Sequence, residues 1–422
     1  MIALVDCNSF FCSVEKAFHP GLSNKPVCVL SNNDGCIVAL TPEAKALGLH
    51  RGDPIFKVRS IVEANHVSVF STNMQLYAAM SNRITNILRK SVARIEKYSI
   101  DEAFAYLDGY EKYHDLETMM RDTADRIKLY TDVPVSVGIA PSKTLAKMGS
   151  KFAKQYKGYR SVCLIDTDVK RRKALELFDL ADVWGIGRQT LEKLHYFGVH
   201  TPLDFADKTE SWVRSRFSKP TYQTWLELNG VSCIDTTEII RNKSICTSRS
   251  FGEMVSDLAS LKASVASFAS SCANKLRGQH AGAKTVTVFI SSNRFREDLQ
   301  QYSNAATIAF ITPTSDTLEI THAALNLLQQ IFVPGIKYKK SGVIMGEIVS
   351  TSIVQHDLFD DIRNRKERGS LMEAIDNLNH RYGPKTIQLS VEGEKKQPWK
   401  VKSEFRSPNY LTDFKDILTI NI

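Results

Sequence analysis

Two stretches of this 422-residue chain put carboxylates where a reaction could use them. The apolar run Ile2-Ala3-Leu4-Val5 reads as a strand and ends in Asp6, which delivers one acid to a sheet terminus, a common place for sites. Tyr98-Ser99-Ile100-Asp101-Glu102-Ala103-Phe104 sets two adjacent acids among strand-forming residues. On a straight strand neighbouring side chains point to opposite faces, so Asp101 and Glu102 can serve one centre only if the chain bends there, as at a hairpin corner. If they converge with Asp6, their mutual repulsion demands a cation, and hard oxygen ligands of this kind suit Mg²⁺. The residues alone leave two plainer readings open: Asp6 as the cap of a helix starting near Ser9, and Asp101-Glu102 in a solvated turn.

Lys143, Lys147, Lys151 and Lys154 recur at spacings of four, four and three, one stripe on a helix, with no acid between Pro141 and Arg160. A merely solvated face mixes signs, so this stripe is read as a phosphate-binding one. Further on, Gly185-Ile186-Gly187 forms a turn between two helical patterns, the second with Leu191, Leu194 and Phe197 on its apolar side.

The elements that must position these groups fall into modules. Residues 1 to about 165 mix short strands (Ile2–Val5, Val27–Leu30, Val135–Ile139) with helical stretches, an α+β or α/β pattern. A compact helical module follows, and residues 231–247, without helical period, read as a connector. Beyond it the order is strand near Thr247–Phe251, helix through Leu258 to Leu276, strand at Val286-Val288-Ile290, strand at Ile308–Ile311, helix through Leu318 to Phe332, and strand Val343–Val349. That βαββαβ order folds as a split βαβ sheet. The polar stretch from about 354 has no strong period and is expected to order only in part or on a partner.

The length exceeds one ordinary core, so several domains are expected. Hydrophobic content of 43% and charged content of 24% are those of a soluble globular chain. Lys and Arg outnumber Asp and Glu by 55 to 46, a net +9 that favours a polyanionic partner without identifying one. The eight cysteines form no CxxC pair and no His cluster stands near them at zinc spacing, so they read as reduced, mostly buried thiols. With no secretory leader at the start and no run of about 18 apolar residues, the expectation is a reducing, cytoplasmic compartment and no membrane.

Four segments in order, IALVDCNSFFCSVE, VLSNNDGCIVALTPEAKALGL, YSIDEAF and VSVGIAPSKTLAKMGSKFAK, resemble the signature blocks of Y-family translesion DNA polymerases, and the fit covers residues 1 to about 350. The SNNDGC block, the length and the C-terminal stretch resemble the bacterial UmuC branch, which supplies the catalytic subunit of DNA polymerase V, more than the shorter DinB branch. The resemblance implies a right-hand α+β multidomain fold: palm at 1–30 and 76–165, small fingers at 31–75, a helix-hairpin-helix thumb at 166–232, a linker at 233–246, a βαββαβ little finger at 247–350 and a regulatory tail at 351–422. It implies low-fidelity, template-directed synthesis past damaged bases, of the SOS type, with no proofreading exonuclease.

The same resemblance implies residue roles. Asp6 and Asp101 would bridge two Mg²⁺ ions, Glu102 would bind the one at the primer 3′-hydroxyl, and the backbone carbonyl of Cys7 would complete the nucleotide-side ion. Phe11, beside Phe10, matches the steric gate, an aromatic ring under the sugar that collides with a 2′-hydroxyl. Lys154 and Lys45 match the positions that hold the incoming dNTP, although this chain has Pro42-x-x-Lys45 where many relatives carry Tyr-x-x-Arg, and a lysine offers a point charge rather than a fork. Gly185 and Gly187 resemble a helix-hairpin-helix loop that brings backbone N–H groups to a phosphate, with Lys143, Lys147 and Lys151 on the primer-template DNA. Arg249, Lys284, Arg294 and Arg296 are candidate duplex contacts of the little finger. Gln355, Leu358 and Phe359 resemble a sliding-clamp peptide, with His356 where Leu is usual. A processed UmuD-type subunit and a RecA filament are implied partners, and a nucleoid-associated bacterial setting goes with them. A two-metal nuclease or phosphodiesterase, or a non-catalytic DNA-binding scaffold, are the rival readings of the acids.

Overall fold

The structure is a computed structural model, and residues 1–236, 242–351, 364–393 and 399–418 are described. The chain folds as two compact units, one of Met1–Glu238 with Glu404–Ile422 and one of Ile239–Ser403.

The first unit contains β1 (Ile2–Cys7), β2 (Val27–Leu30), β3 (Ile37–Leu40), β4 (Ser68–Ser71), β5 (Arg94–Lys97), β6 (Glu102–Tyr106), β7 (Val135–Ala140) and β8 (Val162–Leu164). Five of them form one sheet in the order β5-β6-β1-β7-β8, with β1 central and antiparallel to both neighbours. The two-residue period of β1 divides its side chains between two cores. Ala3, Val5 and Cys7 pack with the helices Met74–Ser91 and Leu116–Thr131, whereas Ile2 and Leu4 pack with the helix Lys143–Gln155 and the helical module behind it.

A second, three-stranded sheet has the order β3-β2-β4. Strand β2 pairs with both β3 and β4, so the small module begins by Val27, and the expected boundary after residue 30 cuts it from its sheet.

The helix Lys143–Gln155 lies unusually close to β7 because two glycines face each other: a Cβ on Gly138 would stand 2.0 Å from the Ala146 carbonyl oxygen and 2.2 Å from the Ser150 nitrogen, and one on Gly149 would stand 3.0 Å from the Gly138 Cα. Nothing flexible is there to give way. Gly138→Ala is expected to destabilise the chain at or above the upper end of the about 1–3 kcal/mol that overpacking costs. Urea unfolding within about 0.5 kcal/mol of the parent, the ordinary surface-substitution range, would contradict the contact.

The second unit contains β9 (Ser244–Val255), β10 (Ala281–Ser292), β11 (Ser303–Thr314) and β12 (Tyr338–Ser350), in the order β11-β10-β12-β9 and antiparallel throughout. Strand β12 sits between β9 and β10, which the helix Leu258–Gly278 connects: the split βαβ arrangement expected from the element order. This helix and Thr317–Ile331 share one core with Val286, Val288 and Ile290.

The polar stretch from about 354, expected to order only in part or on a partner, contains an 18-residue helix, Arg365–Tyr382. Its only buried residue is Met372, so it has no apolar stripe to read. Ion pairs hold it instead, Arg277 with Asp376 at 2.6 Å, Arg368 with Asp316 at 2.6 Å and Arg365 with Glu319 at 3.1 Å. Gln355, His356, Leu358 and Phe359 lie outside the described residues. Among the described residues no helix is long and apolar enough to cross a membrane.

Candidate active site

The site is built at one end of β1. Asp6 and Glu102 are opposite one another across the β1–β6 ladder, so both carboxylates share the sheet face that Ile2 and Leu4 turn to the lysine helix. Asp101 precedes β6 in the corner that joins β5 to β6. Ser99 and Tyr98 amides both donate to the Glu102 carbonyl, at 3.1 Å. The Ser99 hydroxyl accepts from the amides of Asp101 (3.2 Å) and Glu102 (3.0 Å) and donates to Asp101 Oδ1 at 2.5 Å. This hydroxyl-bonded corner bends the chain at the two adjacent acids. The Cys7 amide donates to the Asp101 carbonyl at 2.9 Å, which locks the corner against the end of β1.

The opposite wall comes from the helix Lys143–Gln155. Its start is fixed by Ser142, whose hydroxyl accepts from the Leu145 amide and donates to the Glu227 carbonyl at 2.7 Å, and by the buried Glu227 carboxylate, which accepts from the Thr144 amide at 2.9 Å. The four lysines do share the helix, but not one environment. Lys143 is 1% exposed, bonded to Glu96 at 2.9 Å and to Thr236 at 2.7 Å, so it offers no charge to a nucleic acid and leaves the predicted DNA-binding set. Lys147 reaches both Glu102 oxygens, at 2.9 and 2.8 Å, with its ammonium over the Tyr98 and Trp184 rings. Lys151 pairs with Asp182 and lies over Phe178. Lys154 stands 3.6 Å from Asp6. Asp6, Glu102, Lys147, Lys151 and Lys154 line one cleft of about 380 Å³, with Trp184 and Phe178 among its apolar walls.

Burial raises the Asp6 carboxyl, Lys154 pulls it back, and Glu102 and Asp101 add to the rise, which leaves it at about 6. As placed, no three His, Cys, Asp or Glu side chains among the described residues are grouped to hold a metal ion. Two lysines lean on the acids instead. The donor set is nonetheless one for a hard divalent cation: carboxylate oxygens only, one of them desolvated and short of compensating charge. The Asp6 carboxyl is protonated more readily in the fold than in the unfolded chain, so without metal its share of stability falls as pH rises from about 4 through 6. A cation must displace that proton, so Mn²⁺ affinity is expected to weaken by up to about tenfold per pH unit below 6. Calorimetric titration at pH 5 and pH 7 checks it, and equal affinities would contradict it.

The other predicted residues are placed as follows. Phe11 lies in the first turn of the helix Phe10–Phe18, half-buried, its ring stacked on Tyr77 at 4.5 Å and 15°, while Phe10 is buried in the core. Lys45 is exposed on the short helix Pro42–Ala46. Gly185 adopts φ +94, and a Cβ there would meet the Thr224 hydroxyl at 2.2 Å; Gly187 is the open N-cap of the helix Arg188–Tyr196. In the second unit Arg249, Lys284 and Arg294 are exposed, and Arg296 pairs with Asp298 at 2.6 Å. Sequence reasoning missed Tyr77, Glu15 and Trp184. Glu15 left a signal, an acid on the core-facing side of an apolar helix: it is buried and accepts from the Tyr77 hydroxyl at 2.7 Å.

Residues 5–151 match the model of the impB/mucB/samB family, residues 242–358 that of the impB/mucB/samB family C-terminal domain, and residues 369–420 a domain of unknown function, DUF4113. The chain is 38% identical to Protein UmuC of Salmonella typhimurium (strain LT2) over 422 residues, all of both chains, and 38% identical to Protein ImpB of Salmonella typhimurium over 99% of each. It is 26% identical to DNA polymerase IV 1 of Bacillus subtilis (strain 168) over 97% of each. Among solved structures, a Y-family DNA polymerase chimera of Dbh and Dpo4 shares the fold with TM-score 0.64 at 23% identity, covering 83% of this chain and all of that one. The insertion ternary complex of Dbh DNA polymerase matches with TM-score 0.52 at 22% identity over the same shares.

The fold is that of a right-hand polymerase with palm, fingers, thumb and little finger, extended by a C-terminal domain. The chain belongs to the impB/mucB/samB family and is a UmuC-type Y-family DNA polymerase. Its activity is translesion DNA synthesis of the SOS damage-response type, and the nuclease and scaffold readings are not favoured.

Proposed function

We propose that Asp6, Asp101 and Glu102 are the carboxylates with which this polymerase joins a dNTP to a primer 3′-hydroxyl. The observation that carries this is the corner at the end of β1: Glu102 faces Asp6 in the cleft with Lys147 and Lys154, and Asp101, whose carbonyl accepts from the Cys7 amide, follows the turn beside them and borders a small cavity with Cys7. These carboxylates, with the Cys7 carbonyl, would hold two Mg²⁺ ions, which supply activation of the attacking oxygen and stabilisation of the leaving one. The chain's own part is placement and charge. Lys154 turns from Asp6 to the triphosphate and Lys45 supports it, so the phosphates meet positive charge as negative charge develops on the leaving pyrophosphate. Lys147 yields Glu102 and is retained in the cleft by the Tyr98 and Trp184 rings. Phe11, backed by Tyr77, excludes a 2′-hydroxyl.

We assign the five-stranded sheet to the palm, the three-stranded sheet to the fingers, residues 166–232 to the thumb and 247–350 to the little finger. Gly185 and Gly187 meet a backbone phosphate, Lys151 adds charge at the cleft, and Arg249, Lys284, Arg294 and Arg296 meet the duplex. Gln355, Leu358 and Phe359 are a clamp-binding peptide, and a processed UmuD-type subunit and a RecA filament are the remaining partners. Primer extension with Mg²⁺ and dNTPs on a template with an abasic site tests the reading: extension past the site is expected, and shortening of the primer or binding without extension would overturn it.

A further inference from the structure

The C-terminal arm, residues 404–418, lies on the first unit, and its contacts converge on the residue under the proposed sugar gate. It enters beside β4 through one isolated bridge: Ser71 and Arg406 pair in parallel, the Ser71 amide donates to the Phe405 carbonyl at 3.0 Å, and the Phe405 amide donates to the Ser71 hydroxyl at 2.9 Å. Asp34, in the SNNDGC block, is its receptor, accepting from the Ser71 hydroxyl at 2.5 Å and from the Glu404 amide at 2.8 Å.

From there two routes lead inward. The buried Asn73 carboxamide donates to the carbonyls of Ser407 (2.9 Å) and Pro408 (3.3 Å), while its oxygen accepts from the Leu76 amide and so caps the helix Met74–Ser91 that carries Tyr77. The Ser407 hydroxyl donates at 3.0 Å to the Glu15 oxygen that also accepts from the Tyr77 hydroxyl. The other Glu15 oxygen is buried without a partner among the described residues, so there the arm supplies half of this carboxylate's hydrogen bonds. Tyr77 in turn stacks on Phe11, and Tyr410 of the arm stacks on Phe18 at 4.8 Å, at the far end of the Phe11 helix. Both helices that bring the Phe11–Tyr77 pair together are therefore gripped by the same segment, residues 404–410, at the far end of the sequence.

We propose that the C-terminal arm is a positioning element for the nucleotide site: Ser407, through Glu15 and Tyr77, sets the Phe11 ring and with it the polymerase's discrimination against ribonucleotides. This rests on the gate reading of Phe11. It gives the end of a domain of unknown function a task within catalysis, and it gives Asp34 the task of seating the arm.

The test measures kcat and KM for single dNTP and ribonucleotide insertion by the full chain as parent, Ser407→Ala, Ser407→Thr, Asp34→Ala and Phe11→Ala, with thermal melting of each. Loss of the Ser407 hydrogen bond is expected to raise the ribonucleotide-to-deoxyribonucleotide ratio of kcat/KM about five- to tenfold, with Thr restoring the parental ratio and Asp34→Ala moving it the same way. A lowered melting temperature with an unchanged ratio in Ser407→Ala would overturn the proposal, because the arm would then be structural only. Asp34→Ala decides the matter in the same way if Ser407→Ala does not fold. Phe11→Ala separates the two failures: if it alone relaxes sugar choice, the arm is wrong and the gate stands, and if it does not, the gate itself is wrong.

Discussion

Asp101→Asn is expected to extend primers at no more than about one-thousandth of the parental rate while binding primer-template DNA as the parent does. A carboxylate that helps bind the metals is worth several kcal/mol to the transition state, and about 4 kcal/mol is a thousandfold in rate. The amide is chosen because it keeps an oxygen for the Ser99 hydroxyl to donate to, so the corner survives and only the charge is lost. Rapid-quench extension on an undamaged template beside a DNA-binding titration checks both halves. A variant with a tenth or more of parental extension would remove Asp101 from the metal set.

Phe11→Ala should insert ribonucleotides with kcat/KM raised on the order of a hundredfold, while dNTP insertion falls far less. The gate acts by a built clash against the wrong sugar, and relief of a clash changes the rejected substrate more than the accepted one. Its ring is half-buried against Tyr77, so some stability goes with it, and melting must be measured alongside. An unchanged ratio of the two kcat/KM values would show that the ring packs without gating.

Local periods made much of this legible. The apolar run before Asp6 predicted β1, and the βαββαβ order predicted a split βαβ sheet, in which the structure sets β12 between β9 and β10. The acids were harder. Ser99 and Asp101 allow a turn at the two acids, but their types alone do not show the Ser99 hydroxyl accepting from both acid amides, which fixes the corner. The lysine stripe had the right spacing, but spacing does not reveal that Lys143 meets Glu96, 47 positions earlier, inside the protein. The helix Arg365–Tyr382 was illegible for a related reason, since ion pairs to distant acids replace the apolar stripe that sequence reading looks for. The arm lies furthest from any local signal: Ser407 and Glu15 are 392 positions apart, and only the fold brings them together.

A crystal structure of the chain with primer, template, an unreactive dNTP analogue and Mn²⁺, read by its anomalous signal, tests the central claim most directly. Two ions bounded by Asp6, Asp101 and Glu102 are expected, with Lys147 withdrawn from Glu102 and Lys154 moved from Asp6 to the triphosphate. One ion or none among those carboxylates, with Lys147 still bonded to Glu102 while nucleotide is bound, would contradict it.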